Sequence, residues 1–356
     1  MQDSKILHMG IDFGTSKSAI SCDNGIRTFI PSYVGFPKDM VSRKLVGKDT
    51  VFGIDVLKNK LSLNLVRPLE IIKQPDRTDA KEYKQAMDAA RKLLAHLIYI
   101  ATEGNPDRYV IRGVVGVPAL ASSKIKSAFA EIAEGLLDSI LIVSEPFAVA
   151  YGLNLFNNAL IVDIGAGTID ICRMSGTIPA EDDQITISKA GDYIDQTFFS
   201  LIKAKYPDAS ITIDMVRMFK EENTTITDYG EKLQITLPVK GKPTLMDVTG
   251  EIREACRSVV ADIVEGIGHL ISTFNPEFQD NLKGNVILAG GGSQIIGLRE
   301  EIENYMQKNL GYGKVRKVEE PVFAGANGAL VMCRDMPEEY WTNLKETKGK
   351  EKGKKE

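Results

Sequence analysis

The sequence predicts a layered α/β fold built from two related halves. Strand-like and helix-like segments alternate along the chain, which argues for sheets covered by helices rather than an all-α or all-β fold. A short turn motif also occurs twice. Ile11-Asp12-Phe13-Gly14-Thr15-Ser16 is echoed by Val162-Asp163-Ile164-Gly165-Ala166-Gly167-Thr168, with 151 residues from one aspartate to the other. Finally, at roughly 100–200 residues per domain, a chain of 356 residues has room for two or three.

The elements follow in order. Ile6–Ile11 and Ser18–Cys22 read as strands around the first Gly-rich turn, and Arg27–Pro31 as a third. Ala80–Ala101 reads as a helix, because Ala86, Ala90, Leu93, Leu94, Leu97, Ile98 and Ala101 recur at helical spacing. Asp79 with Glu82 forms a capping-box-like start, and Gly104 supplies the stop. Tyr109–Val117 is a continuous apolar strand, Ser123–Leu136 a helix, Ile140–Val143 a strand, and Phe147–Leu153 opens another helix. Ala159–Asp163 and Ile169–Met174 flank the second Gly-rich turn, followed by a strand at Ile185–Ala190. Asp192–Ala204, Met215–Glu222 and Thr249–Phe274 read as helices, Asn285–Ala289 as a buried strand ending in Gly290-Gly291-Gly292, and Gly297–Asn309 as the helix after it.

Composition narrows the class. Apolar residues make up 43% and charged residues 26%, with a net charge of −4, an ordinary globular balance that excludes disordered, collagen-like and disulfide-scaffold chains. Nothing basic enough for nucleic acid stands out. No apolar run approaches the roughly 20 residues that span a bilayer, and the start lacks the layout of a signal peptide. Cys22, Cys172, Cys256 and Cys333 lie far apart, as do His8, His96 and His269, so no zinc-ligand cluster forms. Buried thiols in a reducing cytoplasm are the expectation. The stretch 345–356 holds six Lys and three Glu with no apolar residue and reads as a disordered tail without a membrane-binding face.

The repeated turn carries the chemistry. A phosphate needs backbone N–H donors at close range, which glycine permits, and Thr or Ser hydroxyls add more. A carboxylate beside phosphates repels them unless a divalent cation intervenes. Asp plus Gly plus Thr in a hairpin turn therefore points to Mg²⁺–phosphate chemistry. A single copy is as readily a structural turn; two copies and a Gly-Gly-Gly turn are harder to explain that way. No P-loop is present, and neither Gly-rich turn completes G-x-G-x-x-G, since Asp170 and Ile295 occupy the last positions. Asp12-Phe13-Gly14 spells a kinase motif without its partners.

Five segments in order resemble the signature of the actin-like ATPase superfamily: Gly10–Ser18 and Val162–Asp170 as phosphate loops, Val114–Ala119 and Gly325–Leu330 as connectors, and Ala289–Ser293 as the adenosine loop. Further stretches, among them 34–39, 144–147, 151–153, 190–193 and 336–341, resemble the magnetosome-associated bacterial actins. The resemblance implies two RNase H-like lobes, each with a smaller outer subdomain and with the nucleotide in the cleft between them. It divides the chain into 1–33, 76–150 and 326–344 for the first inner subdomain and 34–75 for its outer one. Segments 151–190 and 251–325 form the second inner subdomain and 191–250 its outer one.

The same resemblance implies site residues. Gly14, Thr15, Ser16 and Lys17 line the β-phosphate, and Gly165, Ala166, Gly167 and Thr168 the γ-phosphate. Asp12 and Asp163 hold Mg²⁺ through its waters. Gly290, Gly291, Gly292 and Ser293 let the adenosine lie on the backbone. Lys220 and Glu221 flank the ribose and base, unless they form an ordinary charged helix face. Glu145 positions the attacking water, alongside Asp163 as the second catalytic residue; as plain sequence, Glu145 is also an acidic first turn behind a Ser N-cap. The implied activity is ATP hydrolysis to ADP with Mg²⁺, coupled to filament assembly from copies of the chain in the cytoplasm. Magnetosomes would be organised through adaptor proteins, without nucleic acid or direct membrane insertion. The alternatives are another bacterial-actin filament, for plasmid segregation or cell shape, and a non-polymerising sugar- or acetate-kinase-like enzyme. A chaperone-like ATPase lacks the residues for a substrate domain after the core.

Overall fold

The structure, a computed structural model, describes residues 5–74, 78–228, 230 and 232–343. The expected 345–356 tail lies outside them. The chain forms two compact units: one runs to Leu155 and resumes at Val322, and the other is Phe156–Pro321.

In the first unit, strands β1 (Lys5–Phe13), β2 (Lys17–Cys22) and β3 (Arg27–Pro31) form an antiparallel meander. A small insert follows: β4 (Val34–Pro37), helix α1 (Met40–Val46), β5 (Val51–Phe52), α2 (Ile54–Lys58), β6 (Leu63–Val66) and α3 (Pro68–Ile72). Its three strands pair in the order β5-β4-β6. The long helix α4 (Ala80–Ala101) starts on Asp79, whose carboxylate accepts from the N–H groups of Lys81 and Glu82. After it come β7 (Tyr109–Val117), α5 (Ser123–Ala133), β8 (Ser139–Ser144) and α6 (Glu145–Gly152).

The second unit opens with its own meander: β9 (Asn157–Ile164), β10 (Ile169–Ser175) and β11 (Gln184–Ile187). Helices α7 (Gly191–Lys205) and α8 (Ile213–Asn223) precede a hairpin of β12 (Gln234–Val239) and β13 (Lys242–Asp247). Then come α9 (Thr249–Arg257), α10 (Val260–Ser272), α11 (Gln279–Lys283), β14 (Val286–Ala289), α12 (Leu298–Leu310) and β15 (Val315–Lys317). The chain returns to the first unit with α13 (Ala324–Asp335) and β16 (Thr342–Asn343).

The two sheets share a five-strand topology, to which the first adds β16 at its edge. The first runs β16-β8-β7-β1-β2-β3 and the second β15-β14-β9-β10-β11. In each, the first strand pairs antiparallel with the second and parallel with a strand delivered by a helical crossover. The duplication expected from the two hairpins is thus a duplication of whole sheets.

Alternation along β1 assigns its faces. Leu7, Met9, Ile11 and Phe13 enter a core shared with α4 and α5. The opposite face meets α13, where Val114, Ala148, Ala329, Met332 and Cys333 form a smaller core. Backbones touch on that side. A Cβ on Gly10 would overlap Ala326 O and Leu330 N, and one on Gly328 would overlap Ala148 O. One on Gly152 would sit 2.6 Å from Gly328 Cα.

Several expectations shift by a few residues. The 249–274 helix is two, α9 and α10, because Ser258 Oγ donates to Ala255 O at 2.6 Å and competes with the backbone ladder at the break. The 123–136 helix stops at Ala133, ahead of Gly135 in the left-handed region at φ 72. The 185–190 strand ends at Ile187, where pairing to β10 runs out. Helix α6 begins at Glu145, before the expected Phe147, and runs to Gly152, so the first unit extends past the expected cut after 150. All four cysteines are buried, and burial pushes each thiol up to about 12, which leaves them unreactive. No helix among the described residues is long and apolar enough to cross a membrane.

Two glycine substitutions should separate packing from propensity. Ala in place of Gly gains up to about 1 kcal/mol inside a helix, whereas overpacking costs about 1–3 kcal/mol. Gly328→Ala in α13 is expected to lower the unfolding midpoint, because the obstruction is backbone. Gly250→Ala in α9, where a Cβ would meet nothing within 4 Å, is expected to raise it slightly. Chemical denaturation of both variants checks the sign.

Candidate functional site

Each unit presents one hairpin turn and the groups around it. In the first, β1 and β2 pair from Met9↔Cys22 to Phe13↔Ser18, leaving Gly14-Thr15-Ser16 as the turn. The turn is tight: a Cβ on Gly14 would lie 2.5 Å from Lys17 O. Ser32 pins it from below. Its Oγ donates to Gly14 O at 2.7 Å and shares a 2.8 Å hydrogen bond with Ser18 Oγ, while its N–H donates to Ser16 O at 2.8 Å. Thr15 is buried, and the Lys17 ammonium lies 6.0 Å from the Phe29 ring.

Asp12 is on the α13 face of β1, opposite Gly116 of β7. Gly116 in turn lies opposite Val143 of β8, two residues before Glu145. A Cβ on Gly116 would come 3.1 Å from Glu145 Cγ, so the glycine makes room for that side chain. Glu145 Oε1 accepts from Lys73 Nζ at 2.9 Å, with both side chains nearly buried. Ser144 occupies the N-cap of α6 without a side-chain capping bond.

In the second unit Gly165 N–H donates to Thr168 O at 2.9 Å, closing the turn, and Asp163 pairs with Asp170 across the hairpin. The first amides of α7 hold the turn's outer edge: Gly191 N–H donates to Gly165 O at 3.1 Å and Asp192 N–H to Ala166 O at 2.8 Å. Buried Asp170 accepts hydroxyls from Thr168 at 2.7 Å and Thr186 at 2.6 Å. Asp163 is buried beside the end of β14, where Gly290 at φ 73 lies so close that a Cβ would overlap the carboxylate.

The glycine run divides by role. Gly290 and Gly292 face Asp163 and Ile164, while Gly291 has open space around its Cβ position. The Ser293 hydroxyl turns inward to Gly290 O at 2.8 Å. Lys220 also points inward. Its ammonium reaches Asp195 Oδ1 at 2.5 Å and Gly191 O at 3.0 Å, and Arg217 Nε joins the same carboxylate at 2.9 Å. Lys220 therefore buttresses the residue that holds the second turn, and Glu221 is on the exposed side of α8.

Electrostatics mark Asp12. Burial first, and the neighbouring Glu145 second, push its carboxyl from 3.8 up to about 7, with Lys73 opposing. Two carboxylates against one ammonium leave a deficit of positive charge, which suits the divalent cation expected at Asp12. Lys73 and Ser32 are absent from the sequence-based site. Both act across long stretches of chain from positions without a motif; Ser32, directly after Pro31 at the end of β3, is the more discoverable.

The profile of the MreB/Mbl protein family matches residues 6–339. The chain belongs to the MreB/Mbl family. This MreB/Mbl chain is 36% identical over 343 residues to Actin-like protein MamK of Magnetospirillum gryphiswaldense, covering 96% of this chain and 93% of that protein. It matches a MamK double helical filament at TM-score 0.87 and 34% identity, over 94% of this chain and 100% of that one. A non-polymerising MamK mutant bound to AMPPNP matches at TM-score 0.68 and 34% identity, over 93% and 99%. The fold is actin-like.

The Asp12 shift has a consequence for stability. A carboxyl that titrates higher in the folded than in the unfolded chain binds its proton more tightly when folded. Its stabilising contribution is complete below the unfolded value and is lost as pH rises from about 4 to about 7. Asp12→Asn should therefore raise the melting temperature of the nucleotide-free protein at pH 8, with the advantage shrinking toward pH 5. Thermal melts in a chelator across that range test it.

Proposed function

We propose that this MreB/Mbl-family chain is an ATP-hydrolysing, filament-forming bacterial actin. The observation that carries the reading is the placement of Asp12, Glu145 and the Gly14 turn together at one end of the first sheet, matched by Asp163 and the Gly165 turn in the second. The reading is of a chain that binds ATP with Mg²⁺, and the turn of each unit is suited to a phosphate. When bound, Mg²⁺ neutralises charge on the phosphates. Asp12 and Asp163 hold its water shell. Amides of Gly14, Thr15 and Ser16, with the Lys17 ammonium, bind the β-phosphate. Those of Gly165, Ala166, Gly167 and Thr168 bind the γ-phosphate. The open backbone at Gly291, flanked by Gly290 and Gly292, takes the adenosine face, with Ser293 as its internal brace. Lys220, which braces Gly191 beside the second turn, flanks the ribose and base together with Glu221.

Glu145 orients the attacking water. Phosphoryl transfer to water requires no covalent nucleophile; it needs positioning and charge stabilisation. Likeness to a MamK filament supports head-to-tail self-assembly, in which a contact that does not close on itself yields a polymer. The nucleotide then acts as a switch of assembly. The biological role that follows is a cytoplasmic filament that arranges magnetosomes through adaptor proteins.

Purified protein with ATP and Mg²⁺ is expected to sediment and to show filaments by electron microscopy. A chain that stays in the supernatant at every concentration would refute the polymer. Glu145→Ala should slow phosphate release by about 100-fold or more while leaving assembly intact, and Asp163→Ala should weaken Mg²⁺-dependent nucleotide use. Unchanged phosphate release in Glu145→Ala would reduce that residue to a helix start.

A further inference from the structure

The ammonium that meets Glu145 comes from outside the core sheet. Lys73 directly follows α3, at the end of the small insert that begins with β4, and lies 72 residues from its partner. Its position is set by packing. Pro68, Leu69 and Ile72 of α3 are buried, Leu69 and Ile72 in the core shared with α4, and Lys73 N–H donates to Leu69 O at 3.2 Å as the helix ends. Its side chain is 9% exposed and that of Glu145 12%. A nearly buried ion pair of this kind is a poor source of net stability, since desolvation offsets the attraction, but it fixes geometry.

The geometry is specific. Gly116 leaves space under the Glu145 Cγ, and Lys73 takes Oε1. Among the described residues Oε2 makes no hydrogen bond, so one oxygen is clamped and the other remains to accept from a water. We infer that Lys73 is a positioning residue for hydrolysis: it holds the Glu145 carboxylate in the orientation that aims Oε2 at the attacking water, and so makes catalysis depend on the seating of the 34–72 insert. This rests on the reading of Glu145 as the water-orienting group. Lys73 acts through Glu145 and is not itself required for nucleotide binding.

The test is single-turnover ATP hydrolysis by the full-length protein, paired with a fluorescence titration of nucleotide affinity and a pelleting assay for assembly. Lys73→Met is expected to slow hydrolysis by about 100-fold, the scale of a 1 Å misplacement, with nucleotide affinity within about threefold, a change of under 1 kcal/mol. Lys73→Arg, which keeps the charge and a donor, should recover a large part of the rate. Lys73→Met combined with Glu145→Gln should be no slower than Glu145→Gln alone, because residues that act as one unit are non-additive. Should Lys73→Met misfold by circular dichroism, Lys73→Gln substitutes for it.

Three results would overturn the inference: unchanged hydrolysis in Lys73→Met, a loss confined to affinity (which would make Lys73 a phosphate ligand), or additive rates in the double variant. A wild-type protein that does not hydrolyse ATP would instead refute the ATPase reading and this inference with it. The wild-type control thus separates the two failures.

Discussion

Backbone-to-backbone contact between β1, α6 and α13 is the constraint on which the Asp12–Glu145 cluster depends. Gly10, Gly152 and Gly328 allow it, and any side chain there would drive the three segments apart. The contact fixes α6 against the sheet, and Glu145 is the first residue of α6. It also lays α13 along the face of β1 from which Asp12 projects, with Asp12 Oδ2 close against Gly325. Two carboxylates from different elements are therefore held beside each other without a loop that could relax. Burial there, and then the neighbouring Glu145, raise the proton affinity of Asp12.

The two sheets share a topology but treat their carboxylates differently. In the second unit Asp170 is satisfied by two threonine hydroxyls, and Asp195 by Arg217 and Lys220. The Asp170 network is closed and structural, and Asp195 sits in a buried ion-pair cluster. In the first unit Asp12 and Glu145 share one lysine. A closed network rigidifies, whereas an under-compensated pair is poised for a ligand. Duplication supplied the scaffold, and local charge balance set the halves apart.

Features written in consecutive residues were readable from the sequence: both Gly-rich turns, the strands that flank them, the aspartates at the strand ends and the capping of α4 by Asp79. Each depends on neighbours a few positions away, where periodicity and turn chemistry act. The insert after β3 was not resolved into elements, because strands of two to four residues are too short to show a period. The α9–α10 break escaped notice because it turns on one serine hydroxyl within an unbroken amphipathic pattern. Lys73 and Ser32 carry no motif of their own, and their partners are brought to them by the fold. The partners of Lys220, Asp195 and Gly191, lie in another element and were likewise unreadable from its place on α8.

The interrupted course of the first unit has a consequence for how the molecule is made. The second unit is one continuous stretch, Phe156–Pro321, and contains its own core. The first must wait. Until α13 is synthesised, the α13 face of β1 and β7 exposes Val114 and the glycine seam to solvent, with Ala148 of α6 lacking its partner. On the ribosome, the later-encoded unit can thus mature before the earlier one. Completion of the face of β1 that bears Asp12 is delayed until α13 itself has emerged.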